Sequence, residues 1–120
     1  MPDAKRILLV EDDVDVSDAL AFLLGREGWE VSCATSLRGA FDRKERFDLY
    51  VIDRQLPDGD GLELCRVVRL HAPGARVVIY SGSAFPEEHR AAYDAGASAC
   101  VNKPHVTHLA DTVRSLLRRP

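Results

Sequence analysis

Five short apolar runs punctuate the chain, and after each of them apolar residues recur at helical rather than alternating spacing. The runs are Arg6–Val10 (RILLV), Glu30–Ala34 (EVSCA), Asp48–Ile52 (DLYVI), Arg76–Tyr80 (RVVIY) and Ala99–Asn102 (ACVN). Their length and β-branched content predict strands, and the first and third are expected to be buried. The second run alternates and is expected nearer the sheet edge. Between them, Val16, Ala19, Leu20, Leu23 and Leu24 define one helical face that Gly25 and Gly28 end. Ser36 is placed to cap a second helix through about Arg46. Leu62–His71 predicts a third, with Leu64, Val67, Val68 and His71 facing inward and Pro73 and Gly74 closing it. Pro86–Ala95 carries proline and two glutamates in its first turn, which suits a helix N-terminus, but its apolar face is thin. Val106, Leu109, Val113, Leu116 and Leu117 form the last amphipathic face. Strand and helix thus alternate five times with short connections, which implies a parallel sheet with helices on both faces, because right-handed crossovers are nearly obligatory.

Composition narrows the class. At 120 residues with 46% hydrophobic and 29% charged positions, the chain is expected to be one domain, residues 1–120, with one core and no further output domain. The apolar runs are too short to span a bilayer, and MPDAKR lacks the apolar region of a secretory signal, so a cytoplasmic protein without membrane insertion is expected. Cys33, Cys65 and Cys100 are odd in number and widely spaced in apolar surroundings, which favours reduced core thiols over disulfides or a zinc site. A net charge of −3 gives no reason to expect direct nucleic-acid binding.

Chemistry collects where the strands end. Glu11 and Asp12 follow the first run, Asp53 the third, Ser81 the fourth and Lys103 the fifth. Taken singly these are weak signals. Asp53 is as well suited to starting the following turn or capping the next helix as to reacting. Carboxyl ends of parallel strands share one edge of the sheet, however, and that edge is where such sheets bind ligands. Two carboxylates about 4 Å apart repel by roughly 4 kcal/mol at an effective dielectric of 20, so converging acids call for a cation. Mg²⁺ suits carboxylate and carbonyl oxygens. A carboxylate nucleophile, an ammonium and a hydroxyl around such an ion are the parts that phosphoryl transfer requires.

The motifs LLVEDD, VIDRQLPDGDG, YSGS and NKP, in that order, resemble the receiver domains of two-component response regulators over essentially the whole chain. The resemblance implies a flavodoxin-like (βα)5 three-layer sandwich whose five-stranded sheet has the order 2-1-3-4-5. It implies that Asp53 is a phosphoacceptor charged by a histidine kinase or histidine phosphotransfer protein. Glu11, Asp12, Asp53 and the backbone carbonyl of Gln55 then hold Mg²⁺, with Asp13 left as a cap or supporting residue. Ser81 corresponds to the switch hydroxyl and Lys103, ahead of an expected cis Pro104, to the lysine that contacts the phosphoryl group. Gln55 and Ser83 correspond to positions that tune phosphoryl lifetime. A downstream protein is expected to read a face made by the fourth helix, fifth strand and fifth helix. Three positions depart from the pattern: Cys100 stands where an aromatic switch residue is usual, Ser81 replaces a commoner Thr, and His105 stands where an aromatic often follows the Lys-Pro pair. Without the aromatic, output is expected to rely on movement of the Ser81–Pro86 loop and the helix after it.

Two other classes compete with a non-enzymatic receiver that catalyses only its own phosphorylation and dephosphorylation and acts as a switch, relay or sink. An aspartate-nucleophile phosphatase would carry a second acid two residues after the nucleophile, but Gln55 occupies that position and cannot protonate a leaving group. A flavin-binding module would bind phosphate just after the first strand, where EDDVD would repel it. His105 and His108, Arg114, and Trp29 read as surface, dipole-compensating and packing residues respectively.

Overall fold

The computed structural model describes residues 4–82 and 85–118. In chain order the elements are β1 (Arg6–Val10), α1 (Val14–Gly25), β2 (Glu30–Ala34), α2 (Leu37–Phe41), β3 (Leu49–Asp53), β4 (Gln55–Leu56), β5 (Gly59–Asp60), α3 (Gly61–His71), β6 (Arg76–Ser81), α4 (Pro86–Asp94), β7 (Ala99–Asn102) and α5 (Val106–Arg118). Five strands form one sheet in the order β2-β1-β3-β6-β7, every pair parallel. With the two-residue strands β4 and β5 set aside as a separate antiparallel hairpin, this is the expected 2-1-3-4-5 order of the flavodoxin-like fold. Among the described residues no helix is long and apolar enough to cross a membrane.

Successive side chains of a strand point to opposite faces, and the core divides accordingly. Leu8, Val10, Ile52, Val77 and Ile79 pack with residues of α2, α3 and α4 on one side. Ile7, Leu9, Leu49, Val51 and Val78 pack with α1 and α5 on the other. The central strands β1, β3 and β6 therefore bury both faces, which explains their almost unbroken apolar runs. Trp29 packs against the α1–α5 side. Cys33, Cys65 and Cys100 are free thiols.

Several boundaries and faces differ from the sequence expectation. Helix α2 stops at Phe41 instead of continuing to Arg46, because residues 42–46 (DRKER) offer no apolar side to bury; Arg43 instead donates to the Cys33 carbonyl at 2.9 Å. In α3 the inner face comprises Leu62, Leu64, Cys65 and Val68, while Val67 and His71 are exposed. Val67 lies about 120° around the helix from the centre of that face. In α1 Ser17 is buried and Ala19 is exposed. Strand β3 runs one residue later than expected, so that Asp53 is its last residue and pairs with Tyr80 of β6.

Candidate functional site

Three chain reversals deliver the polar residues to one edge of the sheet. After β1 the chain passes through Glu11, whose N–H donates to the Ala34 carbonyl at 3.0 Å. That bond holds Glu11 at the sheet, only 2% exposed, while Asp12 is exposed. Asp13 caps α1, accepting from the N–H groups of Asp15 and Val16 at 3.0 and 3.2 Å. Its carboxylate is thereby committed to the helix end, in keeping with the capping role read from the sequence.

Asp53 is 7% exposed at the end of β3, and the hairpin after it is unusually close. The Gly61 N–H donates to the Arg54 carbonyl at 2.7 Å. A Cβ on Gly61 would lie 2.3 Å from the Asp53 carbonyl oxygen, a separation that no side chain tolerates, so glycine is required where α3 begins. Asp60, not Asp53, caps that helix by accepting from Leu62 N–H at 3.0 Å. One Asp53 oxygen, Oδ1, accepts from the Gln55 N–H at 3.2 Å. The other faces Lys103.

Lys103 follows β7, anchored by its N–H to the Ser81 carbonyl at 2.7 Å, and the Lys103–Pro104 peptide is cis. Its Nζ lies 2.9 Å from Glu11 Oε1 and 3.1 Å from Asp53 Oδ2. Burial alone would push the Lys103 ammonium down, but the hydrogen bond to Glu11 and the charge of Asp53 outweigh it and leave the pKa raised. Oxygens of Glu11, Asp12 and Asp53 all lie within 4.8 Å of one another. Three carboxylates and no softer ligand form a donor set that fits a hard divalent cation. Ser81, 5% exposed, ends β6 beside Asn102 in the sheet register.

The structure thus brings together Glu11, Asp12, Asp53 and Lys103, with Ser81 on the adjoining strand end. Gln55 is exposed in β4 next to Asp53, and Cys100 is half-buried in β7 against the α2–α4 side of the core. Ser83 lies outside the described residues. His105 and His108 are exposed, His105 preceding α5 rather than lying on it, and Arg114 is paired with Glu27 and Asp111. Sequence reasoning did not find the polar links between strand ends and helices. Arg54 pairs with both Asp60 and Glu88, His89 Nε2 lies 2.8 Å from Asn102 Oδ1, and Asp58 accepts from the first two N–H groups of α2 at 2.8 and 3.0 Å. These join residues 6 to 34 positions apart, and only the opposite charges of Arg54 and its two acidic partners were visible in the chain.

Residues 7–114 match the family model for the response regulator receiver domain. The chain belongs to that family. Among curated proteins, this receiver is 35% identical over 117 residues to the response regulator MprA of Mycolicibacterium vanbaalenii, an alignment covering 95% of the chain and 51% of MprA. The chain spans about half the length of the curated relatives it matches. Among solved structures it resembles a CheY-like receiver domain protein from Methanospirillum hungatei, with a TM-score of 0.89 at 31% identity, covering 96% of this chain and 94% of that one. It also resembles the response regulator TrrA of Thermotoga maritima, solved in complex with Mg²⁺-BeF, with a TM-score of 0.84 at 25% identity and coverage of 93% and 98%. The fold is accordingly that of a two-component receiver domain, and the phosphatase reading is not favoured.

Proposed function

We propose that Asp53 is the phosphoacceptor of this receiver, charged by the phosphohistidine of a histidine kinase or histidine phosphotransfer protein. The observation that carries the reading is the bridging of Glu11 and Asp53 by Lys103 Nζ, which fixes an ammonium beside the carboxylate that ends β3, the middle strand of the sheet. In the transfer, an Asp53 oxygen forms a bond to phosphorus as the donor's N–P bond breaks, and the imidazole leaves with the nitrogen electron pair. Lys103 then balances charge on the phosphoryl oxygens, and the Ser81 hydroxyl is on hand to donate to one of them. Glu11, Asp12, Asp53 and the Gln55 carbonyl would hold Mg²⁺, which supplies further neutralisation of the phosphoryl charge. Water attacking phosphorus releases inorganic phosphate and restores the Asp53 carboxylate. Gln55, exposed beside Asp53, sets the phosphoryl lifetime together with Ser83, which stands at the family's second tuning position.

The domain, spanning residues 1–120, acts on no external substrate in this reading. It catalyses its own charging and discharge and works in the cytoplasm as a phosphorylation-dependent interaction module, relay or sink. Its output surface is the face formed by α4, β7 and α5, read by a protein partner and not by nucleic acid. Incubation with a small phosphodonor and Mg²⁺, followed by intact mass and site mapping, tests the assignment. One phosphoryl group on Asp53, absent from Asp53→Asn, is expected. Undiminished labelling of that variant would falsify it.

A further inference from the structure

Helix α4 is fastened differently at its two ends. Its C-terminal end is locked by backbone and packing. Ala92 is fully buried and Ala95 nearly so, Gly96 adopts a positive φ of 104°, and the Ala97 N–H reaches back to the Ala92 carbonyl at 3.0 Å, which is a Schellman closure. Arg69 of α3 then donates twice to the Gly96 carbonyl, at 3.0 and 2.8 Å, and the Cys65 thiol reaches the Ala95 carbonyl. The N-terminal end has no side-chain cap, and among α4 residues only Ala92 is buried. What holds it is polar: Arg54 to Glu88, and His89 to Asn102.

Arg54 directly follows Asp53, and its guanidinium is already shared, with Nε and one terminal nitrogen facing Asp60 and the other terminal nitrogen facing Glu88. One cavity is lined by Arg54 and Gln55, the two residues that follow Asp53, together with Ser81, Phe85 and Glu88. Phosphorylation of Asp53 would add about −1.5 to −2 charges at the residue next to Arg54, in competition with Glu88 for the same guanidinium.

We propose that Arg54 is a charge-sensing clasp. In the unphosphorylated domain it holds down the first turns of α4 through Glu88, and phosphoryl charge on Asp53 draws it away, so that α4 opens from its N-terminal end while its C-terminal end stays fixed. The coupling rests on the phosphoacceptor reading above, but the clasp itself does not. It also gives the domain an output route that needs no aromatic at Cys100: the signal passes from acceptor to helix through an ion pair instead of through a side chain turning into the core.

Amide hydrogen exchange on the full chain, with and without beryllofluoride and Mg²⁺, tests this in wild type, Glu88→Gln and Arg54→Met. Glu88 and Arg54 are both partly exposed, so neither change removes core packing. Without the mimic, each variant should speed exchange across residues 85–91 by about two- to fivefold, the range of a partly exposed ion pair, and leave 92–97 unchanged. In wild type the mimic should reproduce that pattern, and in Glu88→Gln it should add little. Equal acceleration by the mimic in wild type and Glu88→Gln overturns the coupling, and so does opening of 85–97 as one unit. Unaltered exchange in both variants without the mimic overturns the clasp. Intact mass after phosphodonor treatment is read in parallel: no gain on wild-type Asp53 defeats the phosphoacceptor assignment and the coupling with it, whereas a normal gain with unaltered exchange defeats only this proposal.

Discussion

Replacing Lys103 with methionine keeps most of the side chain's volume and removes the one ammonium within reach of two buried carboxylates. Glu11 and Asp53 side chains are 2% and 8% exposed, and Lys103 is 28% exposed. Oxygens of the two acids lie within 4.8 Å, so at an effective dielectric of 20 their repulsion is about 3.5 kcal/mol or more once the bridging cation is gone. Removing one partner of a fully buried pair costs about 3 to 5 kcal/mol. Water reaches Lys103 and screens the pair, so about 2 to 3 kcal/mol is the fitting figure. For a chain of this size each kcal/mol shifts the melting temperature by about 4 °C, so the variant should melt about 8 to 12 °C lower in EDTA. A divalent cation can take over the lost neutralisation. At a hundredfold excess over its dissociation constant, a ligand that binds only the folded state stabilises by about 2.7 kcal/mol. Mg²⁺ should therefore recover most of the loss and stabilise the variant more than wild type, where Lys103 competes for the same oxygens. Calorimetric melts at pH 7.5 in EDTA and in Mg²⁺ read both effects. A variant as stable as wild type in EDTA, or a deficit that Mg²⁺ leaves intact, would refute the picture of one cationic position served by either ion. The pH dependence has a definite sign. The Lys103 pKa is raised in the folded chain, so its stabilisation is fully present below the unfolded value of about 10.4 and is lost as pH climbs through the higher folded one. Wild type should lose its advantage over Lys103→Met only in strongly alkaline melts.

Gly61→Ala should destabilise by about 2 to 3 kcal/mol in urea titrations, because a Cβ 2.3 Å from the Asp53 carbonyl forces the backbone apart, and its rate of Asp53 labelling should fall as well. Asp13→Ala should cost about 1 kcal/mol through loss of the α1 cap without abolishing labelling, whereas Asp12→Asn should blunt stabilisation by Mg²⁺, both read by thermal melts. Burial raises the thiols of Cys65 and Cys100, so alkylation at neutral pH followed by peptide mapping should modify Cys33 first and reach Cys65 only on unfolding. Substitutions at Gln55 should change the decay rate of phosphorylated Asp53 measured by timed mass spectrometry, and an unchanged rate would remove Gln55 from that tuning role.

The strand ends were legible because strands buried on both faces read as continuous apolar runs, and the first charge after such a run marks where the sheet meets solvent. Glu11, Asp53 and Lys103 announce themselves in that way, and so does Asp13, whose position ahead of an apolar helical face marks a cap. The end of α2 was hidden: Ser36 signals its start, but nothing in DRKER forbids a helix except the absence of anything to bury. The α3 face was misread because Leu64, Val67 and Val68 satisfy helical spacing as well as Leu64, Cys65 and Val68 do, and only packing against the sheet decides between them. The β4–β5 hairpin is too short to have a period. The Arg54–Glu88 and His89–Asn102 links join residues that topology, not sequence, makes neighbours.

The two hydrogen bonds from Arg69 to the Gly96 carbonyl have a mechanical meaning. The same guanidinium also holds the Pro73 and Ala75 carbonyls, at 2.8 Å each, which makes one side chain a rivet through three chain segments at the pole of the molecule opposite the acids. With nine residues at 1.5 Å each, α4 is a rod about 13 Å long, pinned at that pole and latched at the other. A rigid rod amplifies: tilting it by about 10° about the pinned end carries the latched end through about 2 Å. Loosening the rivet, for instance with Arg69→Met, should turn that lever into a floating segment, so that the same charge at the far end spreads into general softening instead of a directed stroke.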